Sequence, residues 1–204
     1  AMTRFRQVVD RFAQSEYAPG ALYEWAWCHR DRKEPEKAAS VYARLLKEYP
    51  GDKLADRVRV ESAELAFDKE DYERVIAAIE KALPGLDDVR LREQASYRLA
   101  TAYFNKGDYE NSARTFERFI EQYPRSDLLV SVRYHAGESR LKLEETAVAR
   151  DHFAAVAGLD ADAQTMESAL LRLGETQGLT GQWGAAVETY RRFLREYEKS
   201  DWSR

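Results

Sequence analysis

The stretch ASYRLATAYFNKGDYENSARTFERFIEQYP, residues 95–124, decides the fold. Ala95, Leu99, Ala102 and Tyr103 recur at helical spacing, and so do Ala113, Phe116, Phe119 and Ile120. Between the two sets lies Asn105-Lys106-Gly107-Asp108. Gly107 can take the left-handed conformation that ends a helix, and Asp108 can accept from the free N–H groups that start the next. Pro124 stops the second helix, because it has no N–H to donate and its ring clashes with the preceding turn. The segment reads as helix, tight turn, helix, stop.

Outward from this hairpin, the same pattern returns every 37 residues without a gap. Small residues stand at Ala26, Ala63, Ala100, Gly137 and Gly174, and large ones at Phe5, Tyr42, Ile79, Phe116, Phe153 and Tyr190. A further column runs Val8, Leu45, Ala82, Phe119, Val156, Phe193, and another Tyr17, Leu54, Leu91, Leu128, Thr165, Trp202. Gly181 shares the turn column of Gly107. Tyr49-Pro50-Gly51-Asp52 and Tyr123-Pro124-Arg125-Ser126 punctuate successive units, with Asp52 and Ser126 as candidate caps and Ser15 and Ser200 in the same column. β-branched residues are sparse and nothing alternates at period two, so no strand is expected.

The fold class that follows is all-α: an α-solenoid of antiparallel helix pairs forming one array over 1–204, for which the family resemblance given below implies a right-handed sense. A half-unit at 3–13 precedes pairs at 17–32/34–49, 53–69/71–84, 88–106/108–123, 126–143/145–158 and 163–180/182–199, and 200–204 start a further, truncated unit.

The bulk numbers agree. Charged residues make up 33% and hydrophobic ones 44% of the 204, with 12 Tyr, 8 Phe and 4 Trp, a balance that suits a soluble folded protein rather than a disordered one. The net charge is −4, with Lys and Arg scattered among Asp and Glu. Nucleic-acid binding needs a basic stripe for the phosphates, so it is not expected. No apolar run approaches the ~20 residues that cross a bilayer, so direct membrane insertion by this chain is not expected either. Cys28, the single cysteine, cannot form an internal disulfide and reads as a small buried apolar residue.

The unit resembles a tetratricopeptide repeat (TPR). Leu99-Ala100-x2-Tyr103 matches the family's helix-A core, and Ala149-x3-Phe153 and Ala186-x3-Tyr190 match its helix B. The family repeat is ~34 residues. Because the step from Ala26 to Pro50 and from Ala100 to Pro124 matches the family's, the three extra residues are expected to lengthen the start of helix A by most of a turn. The junctions Leu86-Asp87-Asp88 and Gly158–Ala163 lack proline and are expected to be looser or longer. The longer unit, with its Tyr-Pro-x-Ser junction and Ala95/Tyr97/Leu99/Ala100 opening, is similar to bacterial envelope TPR proteins of the Tol-Pal-associated and outer-membrane-assembly lipoprotein type. That resemblance implies a periplasmic or cell-envelope location, with the cytoplasm as the alternative. The unpaired apolar column at Phe5, Val8 and Val9, and Trp202 at the start of a helix A, imply an internal piece of a longer bacterial protein, with terminal helices able to associate with another copy.

Chemistry finds no foothold. His29, His135 and His152 lack the close spacing of a zinc site, no phosphate loop is present, and acid pairs such as Glu144-Glu145 and Asp87-Asp88 read as turn and first-turn residues. No catalytic residue, metal ligand or cofactor is expected. His29 shares the column of Tyr103 and reads as packed core, His135 as groove-facing, and His152 as solvated.

The resemblance implies that A helices line a concave groove. Transferred by position, one row is Tyr23, Val60, Tyr97, Tyr134 and Leu171; beside it lie Trp27, Arg57, Glu61, Glu64, Arg98, Thr101, His135, Glu138, Arg172 and Glu175. An aromatic row beside fixed charges suits an extended peptide or a helix. Tyrosines that only seal adjacent helices, and Arg57–Glu61 and Arg172–Glu175 as plain helix pairs, are the structural alternative. The family's carboxylate clamp needs an Asn in the column that here reads Trp27, Glu64, Thr101, Glu138, Glu175, so an acidic C-terminal tail is not the expected ligand. The leading function is a protein–protein interaction scaffold. A structural spacer or oligomerisation module, and an accessory domain of an enzyme encoded elsewhere in the full chain, are the alternatives.

Overall fold

In a computed structural model, residues 1–160 and 162–198 are described; the expected cap Ser200 and the column residue Trp202 lie outside them. The helices are α1 (Met2–Arg11), α2 (Ala18–Asp31), α3 (Pro35–Glu48), α4 (Ala55–Phe67), α5 (Tyr72–Ala82), α6 (Val89–Lys106), α7 (Tyr109–Gln122), α8 (Leu129–Lys142), α9 (Thr146–Ala157), α10 (Ala163–Leu179) and α11 (Trp183–Glu196). A single 3₁₀ turn, Leu83–Gly85, follows α5, and no strand occurs among the described residues. Each helix begins and ends within three residues of its expected bounds.

The chain forms two compact units, 1–102 and 103–204. In the first, α1 packs on α2, α2 on α3, α3 on α4 and α4 on α5. Val9, Leu22, Ala26, Tyr42, Leu45 and Val58 close one core across α1 to α4. In the second, α7, α8, α9, α10 and α11 pack in sequence, and α8 also reaches α10. Phe153 of α9 meets Leu173 of α10, while Met166 and Leu170 of α10 meet Phe193 of α11. Fully burying one such side chain stabilises by about 1.5–3 kcal/mol.

The column of small residues sits in one environment throughout. Ala26, Ala63 and Ala100 are fully buried, as are the backbones at Gly137 and Gly174. At Gly137 an added Cβ would stand 2.8 Å from the Phe153 ring. Minimal side chains there let helix B press its aromatic residue against the backbone of helix A.

The hairpin turns repeat in conformation as well as in sequence. Lys33, Glu70, Gly107, Glu144 and Gly181, each 37 residues apart, all have φ between 58° and 85°. Asp71 and Asp108 cap α5 and α7 by accepting from Arg74 N and Asn111 N, both at 3.2 Å.

Three expectations are corrected. Asp52 and Ser126 do not cap helix A. Asp52 Oδ1 accepts from Leu54 N (2.8 Å) and Ser126 Oγ from Leu128 N (3.0 Å), closing a separate turn before the helices that Leu54 and Leu128 begin. The three extra residues are spent on that turn before α2, α4 and α8, whether Pro50, Pro124 or Ala13 precedes it. Helix A starts three residues earlier in α6 and α10, whose junctions carry Val89 and Ala163 where the others carry Ser15, Asp52 and Ser126, and there Asp88 Oδ1 and Asp162 Oδ1 accept from the first-turn N–H groups. Finally, Cys28 is half-buried rather than buried.

Candidate functional site

In the first unit the A helices α2 and α4 bring Tyr23 and Glu61 together. Glu61 accepts from Tyr23 OH at 2.7 Å, Tyr42 OH at 2.6 Å and Arg30 Nη1 at 2.9 Å, so one carboxylate ties α2, α3 and α4. Burial and the adjacent Glu61 hold both phenols above the usual tyrosine pKa. The expected Arg57–Glu61 pair is therefore not formed: Arg57 reaches Asp88 at 3.2 Å instead, because Glu61 turns inward to three better-placed donors. Val60 is a second correction, at 3% exposure a core residue with no surface for a ligand.

Trp27 stays 45% exposed, with the Arg30 guanidinium 5.0 Å over its ring. Glu64 receives Arg98 at 2.7 Å, and Arg98 lies 4.2 Å over Phe67. Thr101 Oγ1 donates to the carbonyl of Tyr97, which is itself half-buried.

In the second unit Tyr134, Leu171, Arg172 and Glu175 surround an open pocket of about 400 Å³, completed by Ser168 and Tyr190. Arg172 is held from two sides. Its Nε makes an ion contact with Glu138 Oε1 at 2.7 Å, out of line for a hydrogen bond, while Nη2 donates to Glu138 Oε2 at 3.2 Å and Nη1 to Glu175 Oε2 at 2.9 Å. Burial works against this cation, but the Glu175 bond and the Glu138 and Glu175 charges outweigh it and raise its pKa. Burial, then Glu138, raises the Tyr134 phenol, and burial, then Glu175, raises Tyr190. Both stay neutral donors at physiological pH.

His135 lines an adjoining recess of about 210 Å³ with Ser131, Tyr134, Gln164, Thr165 and Ser168. Its Nδ1 lies 2.7 Å from the Ser131 carbonyl and therefore donates, and its ring is boxed by Phe104, Phe116 and Tyr134 at 5.7–5.9 Å. His29 is packed as expected, with Nδ1 2.6 Å from Glu34.

His152 is a correction: its side chain is only 13% exposed, 3.3 Å from Glu117. Glu117 of α7 also receives Arg140 of α8 in a two-point bond at 2.7 and 2.5 Å, and this cluster closes over the face of α9 that carries His152. Tyr190 and Ser168 escaped the sequence reading. Tyr190 was legible only as one more helix-B core aromatic, and in the structure it is 38% exposed.

Among the described residues, no group of three or more His, Cys, Asp or Glu side chains is placed to hold a metal, and no helix is long and apolar enough to cross a membrane.

Residues 60–204 match the family model of YfiO, an outer membrane lipoprotein. The chain belongs to the YfiO family. Residues 20–52 also match a tetratricopeptide repeat model, which extends the same architecture toward the N-terminus of this YfiO-family chain. Among solved structures it is similar to YrrB, described as a TPR protein with an unusual peptide-binding site (TM-score 0.73, 17% identity, 98% of this chain and 95% of that one). MamA gives TM-score 0.73 at 15% identity, covering 91% and 94%, and a kinesin light chain TPR-like repeat protein from Podosopora anserina gives 0.66 at 11%, covering 91% and 98%. These likenesses show the all-α TPR solenoid class. No curated protein sequence matches significantly. The TPR and YfiO-like families are scaffolds without catalysis that bind proteins or peptides, so this YfiO-family member is a protein-interaction scaffold in the general sense.

Proposed function

We propose that the α8–α10 face of the second unit holds a peptide or helix of a partner protein, and that the chain serves an assembly of the bacterial cell envelope. The observation that carries the reading is the 400 Å³ pocket. It pairs the apolar wall of Leu171 and two aromatic rings with neutral phenols and a guanidinium locked in place, so a partner side chain meets a preformed surface with little ordering cost. The charge around it sets its preference. Arg172 is already satisfied by two carboxylates, so the rim carries a net negative charge and favours an apolar or aromatic anchor with a basic neighbour over an acidic one. The first unit offers a separate exposed aromatic at Trp27, stiffened by Arg30. The described YrrB peptide-binding site and the envelope setting of the YfiO family support the assignment of class.

The test is a peptide selection against the intact chain, followed by titration of the selected peptides. Tyr134→Ala and Leu171→Ala are expected to weaken binding at least tenfold, about 1.4 kcal/mol, with helicity by circular dichroism unchanged. Undiminished binding in both variants would remove this face as the site.

A further inference from the structure

The recess beside the pocket has a chemistry of its own. Ser131, Tyr134, His135, Gln164, Thr165 and Ser168 enclose about 210 Å³, and no Asp, Glu, Lys or Arg stands among the described residues that line it. Its walls are α8 and α10, two A helices that touch each other within the second unit.

The hydrogen bonds already made decide what those walls can still do. Thr165 Oγ1 donates its proton to Asp162 Oδ2 at 2.6 Å, and Ser168 Oγ donates to the Gln164 carbonyl at 3.1 Å. Each hydroxyl keeps its lone pairs, so toward a ligand both accept. His135 Nδ1 donates to the Ser131 carbonyl at 2.7 Å, which leaves Nε2 of the neutral ring as an acceptor. Phe104, Phe116 and Tyr134 hold that ring in place. Gln164 is exposed and carries both an amide that donates and an oxygen that accepts. The lining is neutral and rich in acceptors.

We infer that this recess is a second subsite of the groove and takes a side-chain carboxamide, Asn or Gln, of the partner segment. The inference rests on the groove reading proposed above. A carboxamide brings two N–H bonds to the acceptors and an oxygen to the Gln164 amide. A carboxylate would set lone pairs against lone pairs. A cation would lose water with no carboxylate in the wall to replace it, and an aliphatic group would leave the acceptors unpaired.

The distance between the subsites sets the register. They share Tyr134 and Ser168. Thr165 of the recess and Leu171 of the pocket are six residues apart on α10, about 9 Å along its axis. A polyproline II segment advances about 9 Å in three residues and brings the same face round again. The carboxamide therefore stands three positions from the apolar or aromatic anchor, in an extended segment.

The probe is a displayed library of random ten-residue peptides, selected on the intact chain and resynthesised for titration. Asn or Gln is expected three positions from an apolar or aromatic residue. Changing that Asn or Gln to Leu, or Gln164→Leu in the protein, is expected to weaken binding about fivefold, and the two together no more than either alone. Leu171→Ala is expected to weaken the parent and the Leu-substituted peptide by the same factor. Gln164 is exposed, so its variant keeps the fold, checked by circular dichroism. If Leu171→Ala weakens binding while the peptide change and Gln164→Leu are additive or silent, the groove stands and the carboxamide subsite falls. If binding ignores both Leu171→Ala and Gln164→Leu, the two readings fall together. A charged or aliphatic residue selected at the third position, or anchors spaced for a helix, overturns the subsite as well.

Discussion

Gly174 of α10 lies so close beneath the ring of Tyr190 on α11 that a Cβ at position 174 would stand 2.6 Å from two ring carbons. One repeat earlier, Gly137 stands in the same relation to Phe153, at 2.8 Å. The two glycines look alike in sequence, yet their rings differ in freedom: Phe153 is fully enclosed and Tyr190 is 38% exposed. Alanine favours a helix over glycine by roughly 0.5–1 kcal/mol, and overpacking a closed site costs about 1–3 kcal/mol. Gly137→Ala should therefore destabilise by about 1 kcal/mol, the difference of those terms. Gly174→Ala should be neutral or stabilising, because Tyr190 can swing outward. Urea midpoints compare the two. Equal losses would show that the Tyr190 ring is as confined as Phe153.

The turn column provides a second test. Lys33, Glu70 and Glu144 hold the left-handed conformation that Gly107 and Gly181 adopt without a side chain. That conformation costs a non-glycine residue roughly 1–2 kcal/mol. Replacing any of the three by Gly should raise stability by several tenths to about 1 kcal/mol after the added unfolded-chain entropy is subtracted. Gly107→Ala and Gly181→Ala should lower it by a comparable amount. Thermal melts of the five variants are the measurement, and a loss on Lys33→Gly, Glu70→Gly and Glu144→Gly together would contradict the argument.

The helices, their hairpin pairing and the small-residue column were readable because a 37-residue step repeats the same packing problem five times. The turn at Gly107 was readable for the same reason. Its equivalents at Lys33, Glu70 and Glu144 were not, since the backbone there is dictated by the flanking helices and overrides residue preference. The groove was only partly readable. Position along helix A put Tyr134 and Leu171 in one row and Arg172 and Glu175 beside it, and the structure gathers these four around one pocket, but it also placed the core residue Val60 on that row. Helical spacing alone also paired Glu61 with Arg57, when the donors that win come from α2 and α3.

Glu61 is accordingly expected to matter more than a surface helix pair. Its side chain is 13% exposed and accepts from three donors, whereas Arg57 and Asp88 are 43% and 49% exposed. Glu61→Leu strands Arg30 and two buried-side phenols, and the loss should be about 2–3 kcal/mol, toward the low end for a broken buried pair because Arg30 is partly solvated. Arg57→Ala should cost less than about 0.5 kcal/mol. A double-mutant cycle between positions 57 and 61 should show no coupling. Coupling of 1 kcal/mol or more would restore the helix-pair reading.

The Glu117–Arg140–His152 cluster predicts a pH profile. Burial holds the His152 pKa below the usual histidine value, with Arg133 and Arg140 adding to it, and Glu117 opposes the shift without cancelling it. The folded state thus resists a proton that the unfolded chain accepts. Stability is full above the ordinary histidine pKa of about 6.5 and declines as pH falls below it toward the depressed folded value. Glu117 adds a second, more acidic window: burial alone would raise its pKa, but the Arg140 bonds and His152 outweigh that and lower it. Its contribution is present above about pH 4.3 and is lost below. His152→Gln keeps a donor for Glu117 and removes the titration, so the urea midpoint of the variant should stay level between pH 7 and 5.5 while that of the parent falls. If the parent and His152→Gln fall in parallel, the decline belongs to other groups and His152 is not held neutral by its surroundings.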